Sequence, residues 1–283
     1  MAVLGVFVLA PTVLGLALAL TDWDGSGVPR FVGLGNFGAL LSDSRFASAF
    51  RNTLVFAAIT VPAQVLLGFV LAAAVNAPWF VGRAAVRAML FIPTVVSIIA
   101  VGFIWRWMLE PRTGLVPLAF ASAGIEAPDF LQGGSAVSVP MIGELVSWPM
   151  LSVCAVQIWK MAGFCMVLYL AAMQQVPESL GEAARVDGAS RWQTLRNVTW
   201  PAVAPTTTFL VVTGLIAALQ VFDLVWALSA MSDSPSTRVL GTLLFREFQQ
   251  SRLGFAAAVG VVIFALTLAL IAGESWRARR AEA

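Results

Sequence analysis

The residues able to make or break bonds are few. The 283-residue chain has no histidine, two cysteines and a single lysine, Lys160, directly after Trp159. Without histidine the commonest general base and the commonest metal ligand are absent. No Gly-Lys pair exists, so the phosphate-cradling loop that ends in Gly-Lys-Ser/Thr cannot form. We therefore expect no catalytic residue, no metal site and no cofactor on this chain; if ATP and Mg²⁺ serve it, a partner holds them. Cys154 and Cys165 fall in one apolar run. On a helix they would stand roughly 16 Å apart, too far for a disulfide, and they read as small buried hydrophobes.

What remains is binding chemistry inside apolar runs. Gln157, Trp159, Lys160 and Phe164 lie together some ten residues into one run, and Gln220 and Asp223 sit at the far end of another. A polar residue inside a membrane is a functional hypothesis by default. Lys160 either lines a solute path or satisfies itself on an acid or a carbonyl. Gln220 and Asp223 are its nearest candidate partners, although Asp223 also suits the headgroup region. Trp105, Trp107, Trp148 and Trp226 fall near run ends, where tryptophan anchors to the membrane interface.

These residues must be positioned by membrane helices. The chain is 59% hydrophobic and 11% charged, with mean hydropathy +0.88. Soluble domains carry about 25% charged residues, so this is a polytopic membrane protein. A net charge of +2 indicates no basic surface for nucleic acid. Backbone groups in lipid must be satisfied internally, which requires helices. Six spans of about the needed length can be placed: 1–20, 53–75, 88–108, 150–173, 205–225 and 255–272. The expected class is all-α, with 1–283 a single transmembrane domain. The first run lacks the basic start of a secretory leader and is long for one, so it reads as a span. Arginine is denser in the shorter connections 76–87 and 174–204 and in the tail, which places these, and both termini, in the cytoplasm. The Gly/Pro/Ser-rich connection 109–149 is expected to form an outer cap with short helical pieces.

One polar stretch has more order than a connection requires: "EAARVDGASRWQTLRNVTWPAVAP", 182–205. Pro177 suits a helix start, and Glu178 and Glu182 suit its positive end. Ala183 and Ala184 favour helix and leave a smooth surface. Asp187-Gly188 breaks that helix, with glycine supplying the left-handed turn. Ser190 and Gln193 match a capping box that opens a second helix, which Pro201 and Pro205 end. A single amphipathic interfacial helix would not need the bend. A rigid knob offered to a partner would.

The same stretch resembles the EAA loop of permease subunits of ATP-binding-cassette importers. The match lies at Glu182, Ala183, Ala184, Asp187, Gly188, Ala189 and Pro201. "FVGLGNFGALLSDSRFASAFRNTLVFA" (31–57), "TDW" (21–23), "QIWKMAGFCMVLYLAAMQQVPESLGEAA" (157–184) and "FDLVWAL" (222–228) resemble the first-subunit permeases of carbohydrate importers of the maltose and glycerol-phosphate type. One departure is "SAMSDSPST" (229–237), where the family often reads Thr-Gly-Gly-Gly-Pro. The resemblance implies a subunit of the bacterial cytoplasmic membrane, with 176–204 as a coupling hairpin seated in an ATPase. It implies a second, similar permease chain, two ATPase copies and an extracytoplasmic solute-binding protein. It also puts Trp159–Phe164 at the level of the solute, where tryptophan stacking and a polar donor suit a sugar. An ion-coupled secondary transporter is the alternative, but it usually shows paired mid-membrane acids and internal repeats, which are not seen here.

Overall fold

The computed structural model describes residues 2–77, 82–131, 136–139, 143–229, 231 and 234–282. Parts of the expected cap, the connection at 78–81, and Ala230, Ser232 and Asp233 of the turn after the fifth expected span lie outside the described residues. So do the side chains of Glu178, Arg279 and Arg280.

The described residues are mostly helical. In chain order they form α1 (Gly5–Leu18), the ribbon β1 (Thr21–Asp22) and β2 (Arg30–Phe31), α2 (Gly35–Ser42) and α3 (Ser44–Asn76). Next come α4 (Arg83–Val95), α5 (Ile98–Met108), α6 (Leu115–Ser122), the ribbon β3 (Ala136–Val139) and β4 (Gly143–Ser147), and α7 (Trp148–Met173). Then follow α8 (Glu178–Val186), α9 (Arg191–Ala202), α10 (Ala204–Leu219), α11 (Asp223–Leu228), α12 (Leu240–Gln249) and α13 (Leu253–Glu282). The two antiparallel ribbons qualify the all-α expectation. The cap contains the expected short helix, α6, and also pairs Ala136 with Ser147 and Val137 with Val146.

Among the described residues α3, α7 and α13 are long and apolar enough to cross a membrane, and α1 is shorter. Two further candidates are bent pairs: α4 with α5 at 98°, and α9 with α10 at 66°. The span expected at 88–108 is therefore not one helix but two, separated by extended backbone at Val96 and Ser97. Helix α3 has 33 residues, about 50 Å of rise. That exceeds the ~30 Å hydrocarbon core, so α3 is longer than an upright span requires.

Proline shapes two helices by the same device. Its ring clashes with the carbonyl four residues back and it offers no N–H. Just before Pro11 the winding loosens over Gly5–Leu9, where the Ala10 N–H donates to the Gly5 carbonyl. Just before Pro201 it loosens over Leu195–Thr199, where the Trp200 N–H donates to the Leu195 carbonyl. These wider π-type turns let the helix run through proline. Pro201 thus does not end α9 as expected. The bend comes at Val203, and Pro205 lies in the first turn of α10.

The centre is α3 packed along α7, with α4 and α10 against them. A second core joins α1, α2 and α12 to α13. In lipid such packing rests on close van der Waals approach. At the α4–α7 crossing a Cβ on Gly163 would collide with the carbonyl of Leu90, so only glycine fits. Across α7 and α10 the Tyr169 hydroxyl donates to Thr207 Oγ1 at 2.9 Å.

Candidate functional site

The hairpin of α8 and α9 has the geometry its residues dictate. Gly188 takes φ +76°. The Gly188 N–H donates to the Arg185 carbonyl at 3.1 Å and the Ala189 N–H to the Ala184 carbonyl at 2.9 Å. This is the paired closure that seals a helix end with a left-handed residue. Helix α9 then opens with a full capping box. Ser190 N–H donates to Gln193 Oε1 at 2.7 Å, and Gln193 N–H donates to Ser190 Oγ at 3.3 Å. Pro177 sits one place earlier than expected, as the N-cap of α8.

The two helices are thus joined by a turn with no slack, and its apolar residues face outward. Val186 is 87% exposed and Trp192 is 69% exposed. Glu182 and Arg185 are also exposed, 3.7 Å apart. A recess of about 910 Å³ lies between the hairpin and the end of α3, bordered by Asn76, Arg83, Glu182, Arg185 and Arg191. It puts the end of α3 and the start of α4 on the same side of the molecule as the hairpin.

Midway along α7 the sequence-expected residues divide. Gln157 and Phe164 border a partly open cavity of about 120 Å³ between α3, α7 and α10, together with Thr60, Gln64, Thr213 and Gly214. Among the described residues, the buried Gln64 Oε1 and Gln157 Oε1 have no hydrogen-bond partner. Buried carbonyl oxygens left open in this way ask for water or a ligand hydroxyl. Gln64 was missed in the sequence. Its signal is a glutamine one turn after Thr60 inside an apolar run.

Trp159 is half-exposed and meets Trp105 edge-on at 5.6 Å. Lys160 turns the other way and is only 5% exposed. Its Nζ donates to the carbonyls of Pro93 at 2.9 Å, Thr94 at 3.0 Å and Val96 at 2.7 Å. Gln220, the C-cap of α10, and Asp223, the first residue of α11, are both exposed. Neither borders the cavity on α7.

A charge cluster at the start of α3 went unanticipated. Glu247 of α12 is fully buried and pairs with Arg45 at 2.8 Å and Arg252 at 2.7 Å. Arg45 also pairs with Asp43 at 2.7 Å. Hydrogen bonding from the Arg45 side chain, ahead of its charge, holds the Asp43 carboxyl below the usual carboxylate range. Asp43 also caps α3 by accepting from the Arg45 N–H at 2.8 Å. Glu247 is the buried member while both arginines stay partly exposed, and the cluster ties α12 to the start of α3.

Comparison with known proteins agrees with this architecture. The family model described as binding-protein-dependent transport system inner membrane component matches residues 64–277. The diacetylchitobiose uptake system permease protein NgcF of Streptomyces coelicolor is 32% identical, over 96% of this chain and 78% of its own length. The lactose transport system permease protein LacF of Rhizobium radiobacter is 30% identical, over 98% of this chain and 91% of its own. Among solved structures, a bacterial alginate ABC transporter in complex with an alginate pentasaccharide-bound periplasmic protein contains a chain that superposes with TM-score 0.82. That chain is 27% identical, with 98% of this chain and 90% of that one covered.

Proposed function

The chain belongs to the family of binding-protein-dependent transport system inner membrane components, and on that premise we propose that it forms one wall of an ATP-driven importer's path for a carbohydrate-like solute. Family membership makes it a permease subunit and leaves ATP hydrolysis to a separate chain. Beyond that, our reading adds a second permease chain as the other wall and two ATPase copies, with their ATP and Mg²⁺, beneath the hairpin. A solute-binding protein delivers solute from the opposite face. The chain crosses the bacterial inner membrane six times, by α1, α3, the broken α4–α5, α7, α10 and α13. The hairpin and both termini are cytoplasmic.

The observation that carries this reading is the hairpin. Its turn is rigid and it presents Val186 and Trp192 uncovered beside Gly188. An isolated surface apolar residue means little, but two flanking a closed turn make an anchor for a pocket on a partner. ATP closes the ATPase dimer, and the hairpin carries that closure to α7 and α10, between which it is strung. The ATPase shifts the permease between inward and outward states only through a differential affinity for the two, so the hairpin must stay seated and stiff. Glu182 and the Ala183–Ala184 surface are the contact, Asp187, Gly188 and Ala189 the turn, and Pro201 the exit toward α10.

Carbohydrate is supported by the solutes named for the relatives and by the chemistry of α7. Sugars present hydroxyl groups and an apolar face. The open carbonyl oxygens of Gln64 and Gln157 accept from hydroxyls and Phe164 offers a ring face beside them, while Trp159, outside this cavity, offers a half-exposed ring elsewhere on α7. The cavity volume, about 120 Å³, is below the ~300 Å³ of a typical ligand pocket. It is therefore a part-site, completed by the second permease chain. Gln220 and Asp223 belong to the outer approach. An ion-coupled carrier is not favoured by these relatives.

The test is association. In membranes co-expressing the complex, Trp192→Glu should leave this chain at normal levels while the ATPase no longer co-purifies with it. Full retention of the ATPase by both Trp192→Glu and Val186→Glu would contradict the docking role.

A further inference from the structure

The break between α4 and α5 carries the furthest inference. A helix that stops inside a membrane leaves carbonyl oxygens without partners, each expensive in lipid, and its end carries partial negative charge. Here the carbonyls of Pro93, Thr94 and Val96 all converge on Lys160 Nζ at 2.7–3.0 Å. A neutral amine has two N–H bonds to give and an ammonium has three. Three acceptors at these distances match the three N–H bonds of the ammonium. The contact is also reciprocal, since the Thr94 hydroxyl donates back to the Lys160 carbonyl at 3.0 Å. Ion-coupled carriers hold a mobile cation on the carbonyl end of a broken helix. In this chain that place is filled by a cation tied to α7.

We propose that Lys160 is a positioning residue whose ammonium acts as a tethered cation. It fixes the break between the two half-helices, and the cradle it fills accepts a small alkylammonium ion when the side chain is removed. Trp105 on α5 meets Trp159 on α7, so fixing the break also fixes that aromatic pair. One consequence is that Lys160 has no free donor for solute, and its effect on transport passes through the geometry of α5. The uptake readout below rests on the transport role, whereas the melting readout does not, so failure of one reading can be told from failure of the other.

The experiment uses the whole complex in nanodiscs and proteoliposomes. Lys160→Ala deletes three methylenes and the ammonium, which is the volume of propylammonium. Losing these charge-assisted bonds should slow uptake about ten- to a hundredfold and lower the melting temperature. Millimolar propylammonium should raise both again in Lys160→Ala. It should do nothing to the wild type, nor to Lys160→Met, whose side chain blocks the cradle. Tetramethylammonium, with no N–H, should rescue neither property. If propylammonium raises melting but not uptake, the cradle stands and the link to transport falls. Equal effects on all variants, or no effect on Lys160→Ala, would overturn the cradle. Should Lys160→Ala fail to accumulate, Lys160→Arg and Lys160→Met decide. The account expects Arg to accumulate and transport while Met does neither, and the reverse order would overturn it.

Discussion

The hairpin of α8 and α9 and the broken span of α4 and α5 both interrupt regular helix, and they do so by opposite means. At the hairpin turn the bonds that close one helix and open the next all lie within six residues: Gly188 to Arg185, Ala189 to Ala184, Ser190 and Gln193 to each other. In the broken span the freed carbonyls at 93, 94 and 96 find theirs on Lys160, more than sixty positions away. A break at the membrane surface has water and its own side chains to draw on. A break inside the membrane has neither, and must borrow a cation from another helix. The first kind yields a stiff part that can be pressed on from outside. The second yields a joint whose shape depends on its neighbour.

That contrast can be strained from either side. The largest effect is expected at the joint's own crossing. Gly163→Val forces a branched side chain into the Leu90 carbonyl, and overpacking against backbone should cost about 3 kcal/mol or more. The expected outcome is loss of the folded complex, read as membrane yield and melting.

Next comes Gly188→Pro, which cannot reach φ +76° and removes the N–H that closes α8. Membrane yield should hold while uptake falls about a hundredfold, the scale on which small misplacements act. Near-normal uptake would mean the turn transmits nothing. Glu182→Lys keeps the turn and reverses an exposed charge. Uptake should fall about tenfold as the ATPase contact weakens, with melting unchanged. The smallest effect is Ser190→Ala, which opens the capping box. It should cost about 1 kcal/mol in α9, visible as faster amide exchange at Arg191–Gln193 and a few-fold slower uptake. An effect of Ser190→Ala on melting as large as that of Gly163→Val would erase the distinction between the two regions.

The same distinction explains what the sequence disclosed. The hairpin was legible down to its turn and cap, because glycine, serine and glutamine at those spacings admit few local structures, whereas its starting proline falls one place earlier than expected. Helices α3, α7 and α13 were legible from hydropathy. The break at Val96–Ser97 was not, because Pro93 alone leaves open whether a helix bends, continues or stops. Pro11 and Pro201, absorbed by wider turns, show the same ambiguity resolved differently. The carbonyl alternative for Lys160 was in view, but its partners lay on a distant segment. Gln64, with its open carbonyl oxygen, and the Asp43–Arg45–Glu247–Arg252 cluster depend on helices meeting in space, which no single-sequence spacing encodes. The β3–β4 ribbon is too short to stand out from the loop around it.

The central claim is that this chain moves solute only when its hairpin is driven by a separate ATPase. The direct measurement is uptake of labelled oligosaccharide into proteoliposomes holding this chain and its companion permease, with the solute-binding protein supplied. The ATPase and enclosed ATP are then added or left out. The account predicts uptake with both present, none when either is missing, and about a hundredfold less with Gly188→Pro. Accumulation without nucleotide, or sustained by an ion gradient alone, would contradict it.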